Sequence, residues 1–269
     1  MTKLLSGLEL APFIKERQLH QVRGLIQHFK VQPRLAIIQV VNNPVTSLYT
    51  NIKKNYGNDI KVVVDVIKID QVKVANLIKQ LNSDNKITGI IVQLPLADAS
   101  ETDNLVNLID SKKDVDGLGV NSLWDSATAT AINWLFAGYN IDLVGKSIAI
   151  VGKGRLVGKP LEKMWLNSGL KVSSYDDEVI DLKKELSDKD IIVSATGQPR
   201  LIKSDMIKSG AIVIDVGTAA DQGKVVGDLD DEVRVRQDLT LTPLKGGVGP
   251  LTVAALMDNV IRAAYKSIK

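Results

Sequence analysis

The stretch Ser147-Ile-Ala-Ile-Val151, followed by Gly152-Lys-Gly-Arg-Leu-Val-Gly158, decides the fold of the second half of the chain. A short apolar run that ends in a glycine-rich turn before a helical pattern predicts a strand–turn–helix unit. Glycines let a pyrophosphate approach the free N–H groups at the start of such a helix. The turn therefore favours dinucleotide binding. Its G-x-G-x-x-x-G spacing is one residue longer than the common fingerprint, so a plain glycine-rich turn with solvated lysines remains the alternative.

Short apolar runs alternate with helical patterns on both sides of this unit. Strands are predicted at residues 35–41, 62–69, 89–93, 147–151, 171–174, 190–193 and 211–216, and helices at 47–56, 72–81 and 251–268. Strict alternation predicts the α/β class, here two α/β domains with a cleft between them, of which the second has a Rossmann-like parallel sheet. We expect the first domain at residues 1–118, completed by the C-terminal helix at 249–269, and the second at 119–248.

Composition excludes several classes of protein. The chain has 269 residues, of which 45% are hydrophobic, so it can bury a sizeable core. A formal charge of +3 argues against a dedicated nucleic-acid binder, and no apolar run is long enough to cross a bilayer. The chain has no cysteine and only His20 and His28 as histidines, so no metal site is predicted. We expect a cytoplasmic protein with no nucleic-acid or membrane partner.

Polar residues of the first half fall where ligands bind in open α/β sheets. Tyr49 and Lys53 are four apart and project from one face of the predicted helix. A lysine beside a phenol can transfer protons if burial lowers its pKa, although a solvated helix lysine is the plainer interpretation. Gln93 ends a predicted strand and is followed by Leu94 and Pro95. The turn Lys113-Asp-Val-Asp-Gly117 then supplies the carboxylate of Asp116.

Asp176 and Asp177 bear on the type of cofactor. They follow the predicted strand after the glycine-rich turn, roughly where a dinucleotide fold places the group that meets the adenosine ribose. A carboxylate there binds a free 2′-hydroxyl and repels a 2′-phosphate, which favours NAD over NADP. The alternative is a pair of aspartates at a helix N-cap or first turn.

Taken together and in order, these segments resemble the bifunctional methylenetetrahydrofolate dehydrogenase/methenyltetrahydrofolate cyclohydrolase family. The resemblance runs from about Ile38 to Asn259. Its motifs are Tyr49-x-x-x-Lys53, VQLPL at 92–96, KDVDG at 113–117, VGKP at 157–160, GAIVIDVG at 210–217, KVVGD at 224–228, Thr242-Pro and GGVGPLT at 246–252. The last motif is the most specific.

The resemblance implies a role for each matching residue. Lys53 would handle the proton of the cyclohydrolase step, Gln93 would bind Lys53 without adding charge, Tyr49 would orient the folate and Asp116 would grip the pterin. It implies further folate contacts at Leu94, Pro95, Gly247, Gly249 and Pro250. The residues expected to bind NADP or NAD are Gly152, Lys153, Gly154, Arg155, Val157, Gly158, Asp176, Asp177, Thr196 and Gly217. A homodimer is expected because relatives dimerise through the cofactor domain.

The chain departs from the family mainly in its cofactor half. Thr128-Ala-Thr-Ala131 replaces a Thr-Pro-x-Gly segment, and Leu118-Gly-Val120 replaces phenylalanine, histidine and proline. Lys153-Gly154 replaces an Arg-Ser pair, Tyr175-Asp-Asp-Glu-Val179 replaces a Cys-His-Ser-x-Thr stretch, and Lys245 replaces a proline. NAD is therefore expected to serve at least as well as NADP. The alternatives are a cyclohydrolase with a decayed dinucleotide site, a non-catalytic folate-binding homologue, and a shikimate dehydrogenase-like enzyme of the same architecture.

Overall fold

The structure, a computed structural model, describes residues 3–217, 219–221 and 224–268. Met1, Thr2, Thr218, Gln222, Gly223 and Lys269 fall within the expected domains but lie outside the described residues. The elements of the first half are β1 (Lys3–Leu4), α1 (Gly7–Phe29), β2 (Arg34–Gln39), α2 (Pro44–Asp59), β3 (Val63–Lys68), α3 (Val74–Ser83), β4 (Gly89–Gln93) and α4 (Thr102–Asn107).

The second half continues the alternation of helices and strands. Its elements are α5 (Ala127–Gly138), β5 (Ile148–Val151), α6 (Gly158–Asn167), β6 (Val172–Tyr175), α7 (Leu182–Leu186), β7 (Ile191–Ser194), β8 (Ile212–Asp215), β9 (Ala219–Asp221), β10 (Lys224–Val226), α8 (Asp231–Arg234), β11 (Thr240–Leu241) and α9 (Gly249–Lys266). The predicted α/β class is confirmed. Among the described residues, no helix is both long and apolar enough to span a membrane.

The chain divides into two compact units, which we call the three-stranded unit (residues 11–127 and 252–268) and the six-stranded unit (residues 3–10 and 128–251). These bounds differ from the expected domain limits. Residues 3–10 belong to the six-stranded unit because β1 pairs in parallel with β11. Residues 119–127 belong to the three-stranded unit, where the Trp124 indole donates to the backbone oxygen of Lys112 at 2.8 Å. The first residues of α9, 249–251, count with the six-stranded unit.

The three-stranded unit has a parallel sheet in the order β3-β2-β4. Its central strand β2 is buried from Leu35 onward, as expected of a parallel strand covered on both faces. The chain passes from β2 to one neighbour, β3, and later to the other, β4. The carboxyl ends of β2 and β4 therefore flank a point where the winding reverses, which is where open α/β sheets bind ligands.

The six-stranded unit has a parallel sheet in the order β1-β11-β8-β7-β5-β6, and a separate antiparallel hairpin of β9 and β10. Strands β5 and β7 are wholly buried, with apolar residues packed around Ile192 and Val213. The chain winds from β5 to β6 and then crosses back to β7. The carboxyl ends of β5 and β7, at Val151 and Ser194, therefore lie at the position where open α/β sheets generally bind ligands.

Candidate functional site

Helix α2 places a lysine at the carboxyl end of β4. The helix begins with a capping box, in which the Asn43 side chain accepts the N–H of Thr46 and the Thr46 hydroxyl accepts the N–H of Asn43. Further along, Lys53 Nζ donates a hydrogen bond of 2.8 Å to Gln93 Oε1. Gln93 Nε2 in turn donates to the backbone oxygen of Leu94 at 2.8 Å. This second bond fixes which end of the amide faces the lysine.

The surroundings of Lys53 favour a neutral amine more than open solvent would. Burial lowers the pKa of Lys53, and the nearby Asp116 carboxylate opposes that effect. Burial raises the pKa of Asp116 in turn, while Lys53 lowers it and the charge of Asp114 adds to the rise. Because Gln93 is uncharged, it holds the amine without stabilising the ammonium form as a carboxylate would. The group can therefore both accept and donate a proton.

Tyr49 lies one turn before Lys53 on the same helix face, and 43% of its surface is exposed. At the end of β4, the half-buried Leu94 and the exposed Pro95 are joined by a cis peptide bond. The exposed aromatic ring and the exposed proline each offer apolar surface to a flat ring system. The structure thus brings Lys53, Gln93 and Asp116 together, with Tyr49 one helical turn away.

The glycine-rich turn of the six-stranded unit begins directly after β5. Gly152 has φ +97°, and a Cβ there would lie 2.6 Å from the backbone oxygen of Ala195. A Cβ on Gly158, the first residue of α6, would overlap the backbone oxygen of Gly152. A Cβ on Gly154 would instead meet open space, so no contact among the described residues requires that glycine. The tight turn and the open side of Gly154 fit a dinucleotide pyrophosphate at the start of α6.

Lys153 and Asp176 form an ion pair of 3.2 Å just beyond the ends of β5 and β6. The hydrogen bond with Lys153 lowers the pKa of Asp176, which also accepts the N–H of Glu178 at 3.2 Å. Asp177 is exposed. The alternative of a helix N-cap is wrong for both aspartates, because α7 is capped by Asp181, whose side chain accepts the N–H of Lys184. Within the part of the chain that the structure describes, Asp176 is thus the member of the pair that a basic neighbour partly neutralises.

Thr196 and Gly217 lie just beyond the carboxyl ends of β7 and β8. The backbone N–H of Thr196 donates to Asp228 Oδ2 at 2.7 Å, and a Cβ on Gly217 would overlap the Asp228 carboxylate. Asp228 belongs to the KVVGD motif, but neither the residue pattern nor the family resemblance predicted a role for it. An aspartate after a glycine in an apolar context is the only signal that could have singled it out.

The loop at 246–250 lies in the six-stranded unit, with Gly249 and Pro250 as the first residues of α9. Gly246 has φ +81°, and its backbone oxygen accepts the N–H of Leu8 at 2.9 Å. A Cβ on Gly7 would overlap the backbone oxygen of the buried Gly247. The loop is therefore braced by the start of α1. Gly246 and Gly247 serve backbone packing, whereas a Cβ on Gly249 would meet open space.

Comparison with known proteins covers both halves of the chain. Residues 5–116 match the family described as "Tetrahydrofolate dehydrogenase/cyclohydrolase, catalytic domain", and residues 126–268 match the NAD(P)-binding domain of the same family. The chain belongs to the tetrahydrofolate dehydrogenase/cyclohydrolase family.

Several members of the tetrahydrofolate dehydrogenase/cyclohydrolase family resemble the chain over almost its full length. The bifunctional protein FolD of Lactobacillus acidophilus is 35% identical over 97% of each chain. The crystal structure of the bifunctional FolD enzyme of Campylobacter jejuni has a TM-score of 0.92 at 34% identity and covers 99% of each chain. The Trypanosoma brucei FolD, solved with NADP and an inhibitor, has a TM-score of 0.92 at 26% identity and covers 100% of this chain and 99% of its own.

The tetrahydrofolate dehydrogenase/cyclohydrolase match decides between this family and other two-domain oxidoreductases that share its architecture. Residues 118–120, which depart from the family pattern, are held by hydrogen bonds to their backbone. Asp114 Oδ2 accepts the N–H of Gly119 at 2.7 Å, and Asn107 Oδ1 accepts the N–H of Val120 at 2.8 Å. The altered stretch is thus held by backbone groups, which do not depend on the side chains that were exchanged.

Proposed function

We propose that this protein oxidises 5,10-methylenetetrahydrofolate to 5,10-methenyltetrahydrofolate with NAD(P), and hydrolyses the product to 10-formyltetrahydrofolate. The observation that carries the proposal is the Lys53–Gln93 hydrogen bond beside Asp116, at the ligand-binding edge of the three-stranded sheet. Membership of the family supports both activities. The bound nicotinamide would supply the hydride acceptor, and the residues around Gly152, Gly154 and Gly158 would hold its dinucleotide.

Hydrolysis of the methenyl cation requires one proton to leave an attacking water and one to reach the folate nitrogen. In our proposal, the neutral amine of Lys53 accepts the proton from water as oxygen bonds to the methenyl carbon. The resulting ammonium then returns that proton to N5 as the carbon–N5 bond breaks, and the remaining hydroxyl proton passes to the amine and on to solvent, which leaves the formyl group on N10. Gln93 keeps the amine in place throughout, because its oxygen can accept from either form of Lys53.

The remaining folate residues would bind and orient the substrate. Asp116 would accept hydrogen bonds from the polar edge of the pterin, and the exposed ring of Tyr49 would pack on the folate. Leu94 and Pro95 offer apolar surface at the end of β4. Such groups contribute mainly by positioning, since a small displacement of the reacting carbon costs much of the rate.

For the cofactor, we propose that NAD is used at least as well as NADP. Asp176 and Asp177 add negative charge beyond β6, but the ion pair with Lys153 offsets the charge of Asp176.

We therefore expect Asp176→Ser to raise the NADP/NAD ratio of kcat/KM, because it removes a carboxylate and releases a lysine for the 2′-phosphate. Lys153→Met should lower the same ratio. Equal ratios in the wild type and both variants would contradict the proposal, and Asp177→Ser would show whether the exposed carboxylate contributes.

The decisive assay mixes the protein with 5,10-methylenetetrahydrofolate and either dinucleotide, and follows reduced cofactor and methenyl product separately. Turnover supports the proposal, and the better cofactor tests the assignment of the aspartates. Hydrolysis of added methenyltetrahydrofolate without dehydrogenation would instead identify a cyclohydrolase with a decayed dinucleotide site. Folate binding without either activity would identify a binding protein.

A homodimer and a cytoplasmic location remain predictions. Light scattering of the purified protein tests whether it is a homodimer.

A further inference from the structure

Two carboxylates and one guanidinium are buried just beyond the ends of β7 and β8. Asp228 is fully buried, and the side chains of Asp215 and Arg234, which form an ion pair, are only 4% and 15% exposed. Asp215 also accepts the backbone N–H of Asp228 at 3.1 Å and of Leu229 at 3.3 Å. The Asp215–Arg234 pair therefore fixes the segment of backbone that carries Asp228.

Asp228 in turn holds the end of β7. Its Oδ2 accepts the hydroxyl of Ser194 and the backbone N–H of Thr196, both at 2.7 Å. Within the described part of the chain, Asp228 Oδ1 and Arg234 Nη1 are buried without a hydrogen-bond partner. An incompletely satisfied buried charge costs stability. A contribution to stability alone therefore does not explain a carboxylate at this position. Its hydrogen bonds are made to the end of β7 and to the segment that follows it.

That segment lies against the glycine-rich turn at the point where the winding of the sheet reverses. A Cβ on Gly152 would be 2.6 Å from the backbone oxygen of Ala195 and 3.1 Å from Thr196 Cα. The turn therefore rests on the backbone that Asp228 holds. On the opposite side, Asp228 occupies the space that a side chain at Gly217 would need. One buried carboxylate thus contacts the segments beyond both β7 and β8, and through the first of them the turn beyond β5.

We propose that Asp228 is a positioning residue for the dinucleotide, which acts through the backbone of Thr196 on the turn at Gly152. The inference rests on the proposed function, since it assumes that this edge of the sheet binds NAD or NADP. Asp228 touches no ligand itself. It sets the separation between the glycine-rich turn and the segment after β7, and a bound dinucleotide must fit both.

The test is Asp228→Asn in the full chain. A neutral amide keeps the shape but weakens the bond to the Thr196 N–H, so the Kd for NAD and NADP should rise on the order of 10-fold. Hydrolysis of added methenyltetrahydrofolate needs no dinucleotide and should stay within about twofold, since the residues proposed for it lie in the three-stranded unit. Ser194→Ala, which removes one of the two bonds, should raise the Kd by about threefold and serves if Asp228→Asn does not fold.

Asp190 provides a matched control at the opposite end of the same strand. It precedes β7 and accepts the N–H of Ser147 at 2.8 Å and its hydroxyl at 3.0 Å, so it also ties β7 to the start of β5. Asp190→Asn should lower the unfolding temperature but leave the dinucleotide Kd within about twofold. An equal loss of affinity in Asp190→Asn, or unchanged affinity in Asp228→Asn and Ser194→Ala, overturns the inference. A wild-type protein that binds neither dinucleotide contradicts the proposed function, and the inference with it.

Discussion

The amine of Lys53 has an uncharged hydrogen-bond partner, Gln93, and a carboxylate, Asp116, in its surroundings. We expect Lys53→Met to lower the cyclohydrolase kcat by a factor on the order of 10³, because the variant keeps the apolar stem but loses the proton-transferring group. Folate and dinucleotide affinities should change by less than about fivefold, since neither depends mainly on this amine. Rapid mixing with methenyltetrahydrofolate measures the rate.

The next residue, Lys54, is the natural control for this substitution. It has the same side chain on the same helix but is exposed. Lys54→Met should leave hydrolysis within about twofold, as expected for a surface change away from the site. Comparable losses of hydrolysis rate in the two variants would show that the positive charge on α2 matters, and not the position of Lys53 beside Gln93.

The pH dependence of hydrolysis tests the pairing of Lys53 with Asp116. A lysine is neutral above its pKa, and Asp116 raises the pKa of Lys53. Asp116→Asn removes that effect, so the pKa of Lys53 falls further and the active neutral amine persists to lower pH. The ascending limb of kcat against pH, measured at saturating methenyltetrahydrofolate, should therefore move to lower pH. A limb that stays in place or moves upward would contradict the assignment of Lys53 as the base.

The residues alone marked Lys53 and Gln93 only as candidates, and the roles predicted for them came from the family resemblance. Lys53 and Gln93 could be singled out because one lies on a helix face and the other ends a strand. Neither position reveals that burial lowers the pKa of Lys53, since burial depends on how α2 packs against the rest of its unit. The Lys153–Asp176 pair was unpredictable for the same reason, because it joins residues beyond two different strands.

Among the secondary-structure elements, α2 carries both Tyr49 and Lys53, and its start is fixed by Asn43. We expect Asn43→Ala to destabilise the protein by about 1 kcal/mol, because the variant leaves the Thr46 N–H without its acceptor. The cyclohydrolase kcat should change little, since Lys53 lies beyond the first turns of the helix. Asn43→Asp keeps the acceptor and should restore the unfolding midpoint in urea. A midpoint equal to that of Asn43→Ala would rule out capping as the cause.

Element by element, the long buried strands were the easiest to predict. All seven expected strands are present within one or two residues of their predicted bounds, because apolar, β-branched runs between turn residues are a strong local signal. β1 and β11 were missed, since two-residue strands carry no periodicity and are defined only by their partners. The hairpin of β9 and β10 was missed too, because its three-residue strands are equally short.

For the molecule as a whole, the division into two units predicts separate responses to the two ligands. At about 100 times its Kd, a ligand stabilises the structure that binds it by about 2.7 kcal/mol. NAD alone should therefore slow amide exchange in β5, β7 and β8, and a folate analogue alone should slow it in α2 and β4. Hydrogen-exchange mass spectrometry distinguishes the two sets of peptides. Protection by NAD that is stronger in β4 than in β5 would contradict our assignment of the dinucleotide to the six-stranded unit.

The pairing of β1 with β11 bears on how the protein is made in the cell. The ribosome produces Lys3–Leu4 long before Thr240–Leu241, so β1 must remain unpaired while nearly all the other elements are synthesised. Contacts between such distant residues form slowly, and unpaired strand edges attract other chains meanwhile. The three-stranded unit likewise lacks most of α9 until residues 252–268 have been synthesised. Neither unit can be completed during translation until these late segments have been synthesised, so the edges that they cover stay open to other chains until then.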